Sequence, residues 1–187
     1  TRVAAAGFKE IAIAGVHLGG WGRDVRPAGV LPDLLRMLAG HPADMAAINA
    51  IAGMLKSGDH VVCGHDLYGG VPRLFNQVLA NFGLEFTYVD MTNPRNVERA
   101  FRRNTRYVYA ETPTNPLMTI CDLAAIAEIC HRRKAELIVD NTFMSPFFQQ
   151  PIALGADMVV HSTTKFLNGH SDGLGGVVVC TTQEQAD

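Results

Sequence analysis

Charge and aromatic rings are sparse in this chain of 187 residues, paired-cysteine motifs are missing, and each lack narrows what it can be. Only 18% of residues are charged, and the formal net charge is −2 with both signs interspersed. No basic stripe is left for nucleic acid or an anionic membrane, so neither is expected as a partner. The four cysteines, Cys63, Cys121, Cys130 and Cys180, show no CxxC or Cys/His ligand spacing, and no metal site is expected from them. The N-terminus lacks the basic-then-apolar layout of a signal peptide, and a reducing cytoplasm is the expected setting. No apolar run approaches the roughly 20 residues that a membrane span needs. Hydrophobic residues nevertheless make up 48% of the chain, enough for one sizeable core.

From about Asp44 onward, short apolar runs alternate with segments of helical period, the rhythm of an α/β protein. Met45, Ile48, Ala52 and Leu55 share one helical face; so do Val71, Leu74, Phe75, Val78, Leu79 and Phe82 before Gly83, and Leu123, Ile126, Ala127 and Cys130. Strands are expected at 60–63, 85–89, 107–109, 137–139, 158–160 and 176–180. Their nearly continuous apolar character predicts a buried, mostly parallel sheet in a three-layer α/β/α arrangement. The first 43 residues break this rhythm with many glycines. Glu10 to Gly15 suits a strand and Leu31 to Leu38 a short helix, within an atypical arm of residues 1–43 that precedes a core of residues 44–187.

In an open parallel sheet, ligands sit outside the carboxyl ends of the strands. Here those ends are polar: Glu111 to Asn115 follow one strand, Asp140 to Thr142 another, and His161 to Lys165 a third. A carboxylate, a lysine and two hydroxyls at one sheet edge match the needs of pyridoxal 5'-phosphate (PLP). The lysine amine forms a Schiff base with the cofactor aldehyde and moves protons, and it must shed its charge, which desolvation favours. The carboxylate keeps the pyridine nitrogen protonated, and hydroxyls hold the phosphate. Singly, each residue has a plainer explanation. Asp140 can cap a turn, Lys165 can be a solvated lysine, and Ser162 and Thr164 can be helix N-caps. Their joint occurrence at consecutive strand ends favours the functional explanation.

Five strings carry a resemblance to a known family: GDHVVCGHDLYGG (58–70), ETPTNP (111–116), VDNTFMSP (139–146), LGAD (154–157) and HSTTKFLNG (161–169). In order and separation they resemble the Cys/Met-metabolism PLP-dependent enzymes, which include cystathionine synthases and lyases, methionine gamma-lyase and homoserine-ester sulfhydrylases. The resemblance implies the large domain of the type I PLP-dependent fold, like that of aspartate aminotransferase. It makes Lys165 the Schiff-base lysine, pairs Asp140 with the pyridine nitrogen, and gives the phosphate to Ser162, Thr164 and the helix start at Met45. Tyr68 would stack on the ring and act as acid or base, Asn115 would bond near the ring's hydroxyl oxygen, and Glu111 would support them from behind. His161 and His170 are expected to be structural. The implied activity is β- or γ-elimination or replacement on an amino-acid substrate such as cystathionine, methionine or an O-acyl-homoserine, in a homodimer or homotetramer.

Three departures from the family pattern leave an alternative open. Asp44 stands where members carry glycine at a phosphate-receiving helix N-terminus, and its carboxylate would repel the phosphate by roughly 1 kcal/mol. The Tyr-Ser-Arg-x-x-Asn-Pro-Thr segment is absent from residues 1–43. The smaller C-terminal domain, which supplies the arginine for the substrate carboxylate, is expected to be absent after Asp187. The alternative is an inactive family remnant that keeps the fold and, in one form, PLP binding.

Overall fold

A computed structural model of the chain describes residues 10–14, 53–170 and 172–186. Seven apolar runs are strands: β1 (Glu10–Ala14), β2 (His60–Gly64), β3 (Glu85–Val89), β4 (Thr105–Glu111), β5 (Glu136–Asp140), β6 (Met158–Ser162) and β7 (Gly176–Cys180). They form one sheet in the order β1-β7-β6-β5-β4-β2-β3. The five strands β2 to β6 are mutually parallel, while β7 runs antiparallel to both β6 and β1. From β2 the chain moves outward to β3, then crosses back past β2 to β4 and continues to β5 and β6. The winding reverses between β2 and β4, which is where such a sheet opens a ligand crevice.

Side chains alternate across the sheet with the period of two that a pleated strand imposes. Val61, Cys63, Tyr107, Tyr109, Ile138, Met158 and Val160 face one core, which helix α1 (Gly70–Gln77) covers with Val71, Leu74 and Phe75. Val62, Val108, Ala110, Leu137, Val139 and Val159 face the other, beneath α2 (Pro94–Ala100) and α3 (Leu123–Arg132). The expected three layers are therefore present. Helix α2 starts where Asn93 accepts from the Arg95 N–H, with Pro94 in its first turn. Asp122 likewise caps α3 by accepting from the Ala125 N–H at 3.0 Å. Helix α3 buries Leu123, Ile126, Ile129 and Cys130, each large apolar side chain contributing roughly 1.5–3 kcal/mol.

Two sequence expectations change. The face drawn from Val71 to Phe82 does not stay one helix: α1 ends at Gln77, Val78 turns to φ −115°, and Leu79–Phe82 is a short 3₁₀ turn. Phe82 consequently swings outward and is exposed. Gly83 closes the turn at φ 83°, a conformation that favours glycine. Strand β3, expected to be buried, lies at the sheet edge, where its residues are at best half-buried. Glu10–Ala14 is a strand as expected, whereas Leu31 to Leu38 and the face begun by Met45 and Ile48 lie outside the described residues. All four cysteines are free thiols, and no helix among the described residues is long and apolar enough to cross a membrane.

Candidate active site

Because β2, β4, β5 and β6 are parallel, their carboxyl ends reach the same edge of the sheet. The alternation then decides which end residues share a face. Glu111 and Asp140, register partners on β4 and β5, continue the face of Tyr109 and Ile138, and Ser162 continues that of Val160. Beyond them opens a cavity of about 640 Å³, lined by Tyr68, Asn115, Asp140, Ser162, Thr164 and Lys165 among others. That size suits a small-molecule cofactor. Six of the seven residues expected from the sequence to contact the cofactor thus surround one space. The seventh, Met45, lies outside the described residues, as does Asp44.

Asp140 is held from two sides: Oδ1 accepts from the Thr142 N–H at 3.0 Å, and Oδ2 from the Tyr109 hydroxyl at 3.4 Å. The turn-capping explanation of Asp140 is therefore partly met, yet the residue still lines the cavity. Tyr109 is fully buried, and burial together with the Asp140 and Glu111 charges pushes its hydroxyl well above its ordinary range, so it remains a neutral donor. Glu111 is buried beside Asp140. Burial and the Asp140 charge push its carboxyl up to about 8, against the opposing pull of two backbone N–H donors. Those donors are Tyr68, 2.7 Å from Oε2, and Asn115, 2.9 Å from Oε1. The Tyr68 ring lies so close to Gly70 that a Cβ there would stand 2.7 Å from Cε1.

After β6 the chain enters a wide turn, Thr163–Leu167. Ser162 occupies its N-cap position without making a cap hydrogen bond. Its N–H donates to Thr142 Oγ1 at 2.9 Å, but its buried Oγ has no hydrogen-bond partner. A capping role therefore does not account for Ser162. Thr164 Oγ1 accepts from the Gly175 N–H at 3.2 Å, tying the turn to the approach to β7. Lys165 stands at the cavity rim and is exposed. A buried hydroxyl with an unused donor, a second hydroxyl and a carboxylate beside one cavity fit a phosphate-bearing, ring-nitrogen cofactor.

Several contributors went unassigned in the sequence. Tyr109 precedes Glu111 by two on a strand, and that spacing alone marks it as sharing the site's face. Thr142 was visible as a strand-end residue, but its bond to the Ser162 N–H depends on how β5 and β6 lie together. The pair Phe143 and Phe166, with ring centroids 6.2 Å apart, walls the cavity and left no local signal.

The sequence model of the family described as "Cys/Met metabolism PLP-dependent enzyme" matches residues 38–187. Over 140 residues the chain is 52% identical to a cystathionine gamma-lyase of Bacillus subtilis (strain 168), covering 75% of this chain and 37% of that protein. It is 47% identical over 136 residues to an L-methionine gamma-lyase of Treponema denticola, covering 72% and 34%. Among solved structures, a cystathionine gamma-lyase of Lactobacillus plantarum complexed with L-serine superposes with a TM-score of 0.75 at 45% identity, covering 77% of this chain and 38% of that one. The chain spans little more than a third of the length of these relatives. With its site geometry, its sheet and the match over residues 38–187, this chain belongs to the Cys/Met metabolism PLP-dependent enzymes, whose cofactor is pyridoxal 5'-phosphate.

Proposed function

We propose that this chain forms the cofactor-binding part of a lyase or transferase that performs β- or γ-elimination or replacement on a sulfur amino acid or an O-acyl-homoserine. The observation that carries the reading is the shared cavity of Asp140, Lys165 and the unpartnered Ser162 hydroxyl. Relatives named cystathionine gamma-lyase and L-methionine gamma-lyase favour a carbon–sulfur bond as the one broken. When bound, PLP supplies an aldehyde that condenses with amines and a protonated ring that accepts electrons from the substrate's α-carbon.

Each residue's part follows from where it stands. Asp140, fixed by Thr142 and Tyr109, keeps a negative charge for the ring nitrogen. Ser162 Oγ and Thr164 Oγ1 hold the phosphate, and Asn115 orients the ring from the opposite loop. Lys165, which lines the cavity, takes the α-proton through Nζ and returns it. Tyr68 protonates the departing sulfur or oxygen. The substrate is a small amino acid, and the working assembly is a homodimer or homotetramer in a reducing cytoplasm. Exposed apolar side chains in the segments after β4 and β5, Leu117, Ile120, Phe147 and Phe148, favour such self-association.

A second reading, cofactor binding without turnover by this chain alone, is favoured by one observation: among the described residues no arginine lines the cavity to receive a substrate carboxylate. The test is an absorbance spectrum of the protein with PLP, before and after borohydride, with Lys165→Ala as control. A band fixed by reduction in the wild type and missing from the variant supports cofactor attachment at Lys165. Turnover of cystathionine or methionine then separates the two readings, and no band in either protein would overturn both.

A further inference from the structure

Glu111 takes no part in the chemistry just described, yet it touches both loops that frame the cavity. One loop follows β2 and carries Tyr68; the other follows β4 and carries Asn115. Glu111 is the last residue of β4, and each of its carboxyl oxygens serves one loop: Oε2 accepts from the Tyr68 N–H at 2.7 Å and Oε1 from the Asn115 N–H at 2.9 Å. A second buried carboxyl repeats the tie. Asp66, two residues before Tyr68, accepts through Oδ2 from the Thr114 hydroxyl and from the Thr119 hydroxyl at 3.2 Å. The Asn115 loop is also closed on itself, because the Thr119 N–H donates to Thr114 Oγ1 at 2.8 Å and the Thr114 N–H to the Thr119 carbonyl at 3.0 Å.

A carboxyl buried next to another carboxyl is unfavourable, and packing alone would be served as well by an apolar side chain of similar size. What an apolar residue cannot do is accept from two N–H groups on different loops. We propose that Glu111 is a positioning residue: with Asp66 behind it, its carboxyl clasps the two loops and sets where the Tyr68 hydroxyl stands relative to Asp140 and Lys165. The proposal rests on the functional reading above for the part Tyr68 plays.

Glutamine at 111 has the same size but can accept with one atom only, and its NH₂ would confront the other N–H. Burial and the Asp140 charge already favour the uncharged Glu111 carboxyl, and glutamine is an uncharged side chain of the same size, so Glu111→Gln is expected to fold. Amide hydrogen exchange at Tyr68 and Asn115, read by NMR, reports the clasp directly. Both amides should be slow in the wild type, and one should exchange at least about tenfold faster in Glu111→Gln. The variant should still give the borohydride-fixed PLP band, and its kcat should fall about 10- to 100-fold, the cost of leaving one buried N–H without its acceptor, with KM nearly unchanged. Glu111→Asp, which keeps two acceptors, should recover part of the loss. Slow exchange at both amides in Glu111→Gln, or an unchanged kcat, would overturn the proposal. A wild type that binds no PLP would instead sink the functional reading, while the exchange arm would still decide the clasp. Should Glu111→Gln not fold, Thr114→Val must speed exchange at Asn115, and unchanged exchange there would count equally against the clasp.

Discussion

Replacing Ser162 by alanine should change stability in opposite directions with and without cofactor. Its Oγ is buried and makes no hydrogen bond. A buried polar group without a partner costs about 1–3 kcal/mol. The bond from the Ser162 N–H to Thr142 Oγ1 uses only the backbone of Ser162 and survives the change. Without PLP, Ser162→Ala should therefore be more stable by about 1 kcal/mol, or about 2–4 °C in melting temperature for a chain of this size. With PLP the sign reverses. A hydrogen bond to a charged phosphate contributes about 1.5–3 kcal/mol, so the variant should bind PLP about 10- to 100-fold more weakly. Because ligand stabilisation follows RT ln(1 + [L]/Kd), the rise in melting temperature on adding excess PLP should shrink by the same free energy. Circular-dichroism melts of both proteins, without and with PLP, measure both arms. A lower melting point for the unliganded variant would refute the claim that this hydroxyl is unsatisfied, and an undiminished PLP shift would refute its role toward phosphate.

Gly70→Ala places a Cβ 2.7 Å from Tyr68 Cε1, so the ring must move. Steady-state kinetics should show a kcat lowered by about tenfold, as expected for a displaced catalytic group; unchanged rates would mean that the ring has room to yield. Stability should also vary with pH on both sides of neutrality. Burial lowers His60 and His161 from 6.5 to about 4, so the unfolded chain takes up protons first as pH falls. Stability is full above about 6.5 and is lost toward pH 4, by up to roughly 3 kcal/mol for each histidine. Glu111 acts the other way: raised from 4.5 to about 8, it keeps its proton longer when folded, so stability declines as pH rises through that interval. Urea midpoints from pH 4 to pH 9 should show both limbs, with Glu111→Gln lacking the alkaline one. A flat acid limb would contradict the buried neutral histidines.

Strands β4 to β7 were visible in the sequence because apolar runs such as LIV at 137–139 and VV at 159–160 leave few other ways to bury themselves. The same reasoning misjudged β3, since its apolar residues do not reveal that no strand pairs beyond it. Phe82 kept helical spacing with Leu79, but the break at Val78 depends on backbone geometry that side-chain periodicity does not encode. At the site, Asp140, Ser162, Thr164 and Lys165 could be found as polar residues ending apolar runs. The double hold of Glu111 could not, because its partner Tyr68 lies 43 residues away. The exposure of Lys165 was equally hidden, because a residue that follows an apolar run carries no local sign of how much of it other segments cover.

The cavity's walls come from Tyr68 at one extreme and Leu174 at the other, with contributions from four neighbouring parallel strands. No local fragment of the chain contains a working half of it. Those strands must all pair before the cavity exists, and parallel pairing through long crossovers is a slow, late kind of contact. PLP fluorescence is therefore expected to serve as a reporter of completed folding, appearing only with the last cooperative step.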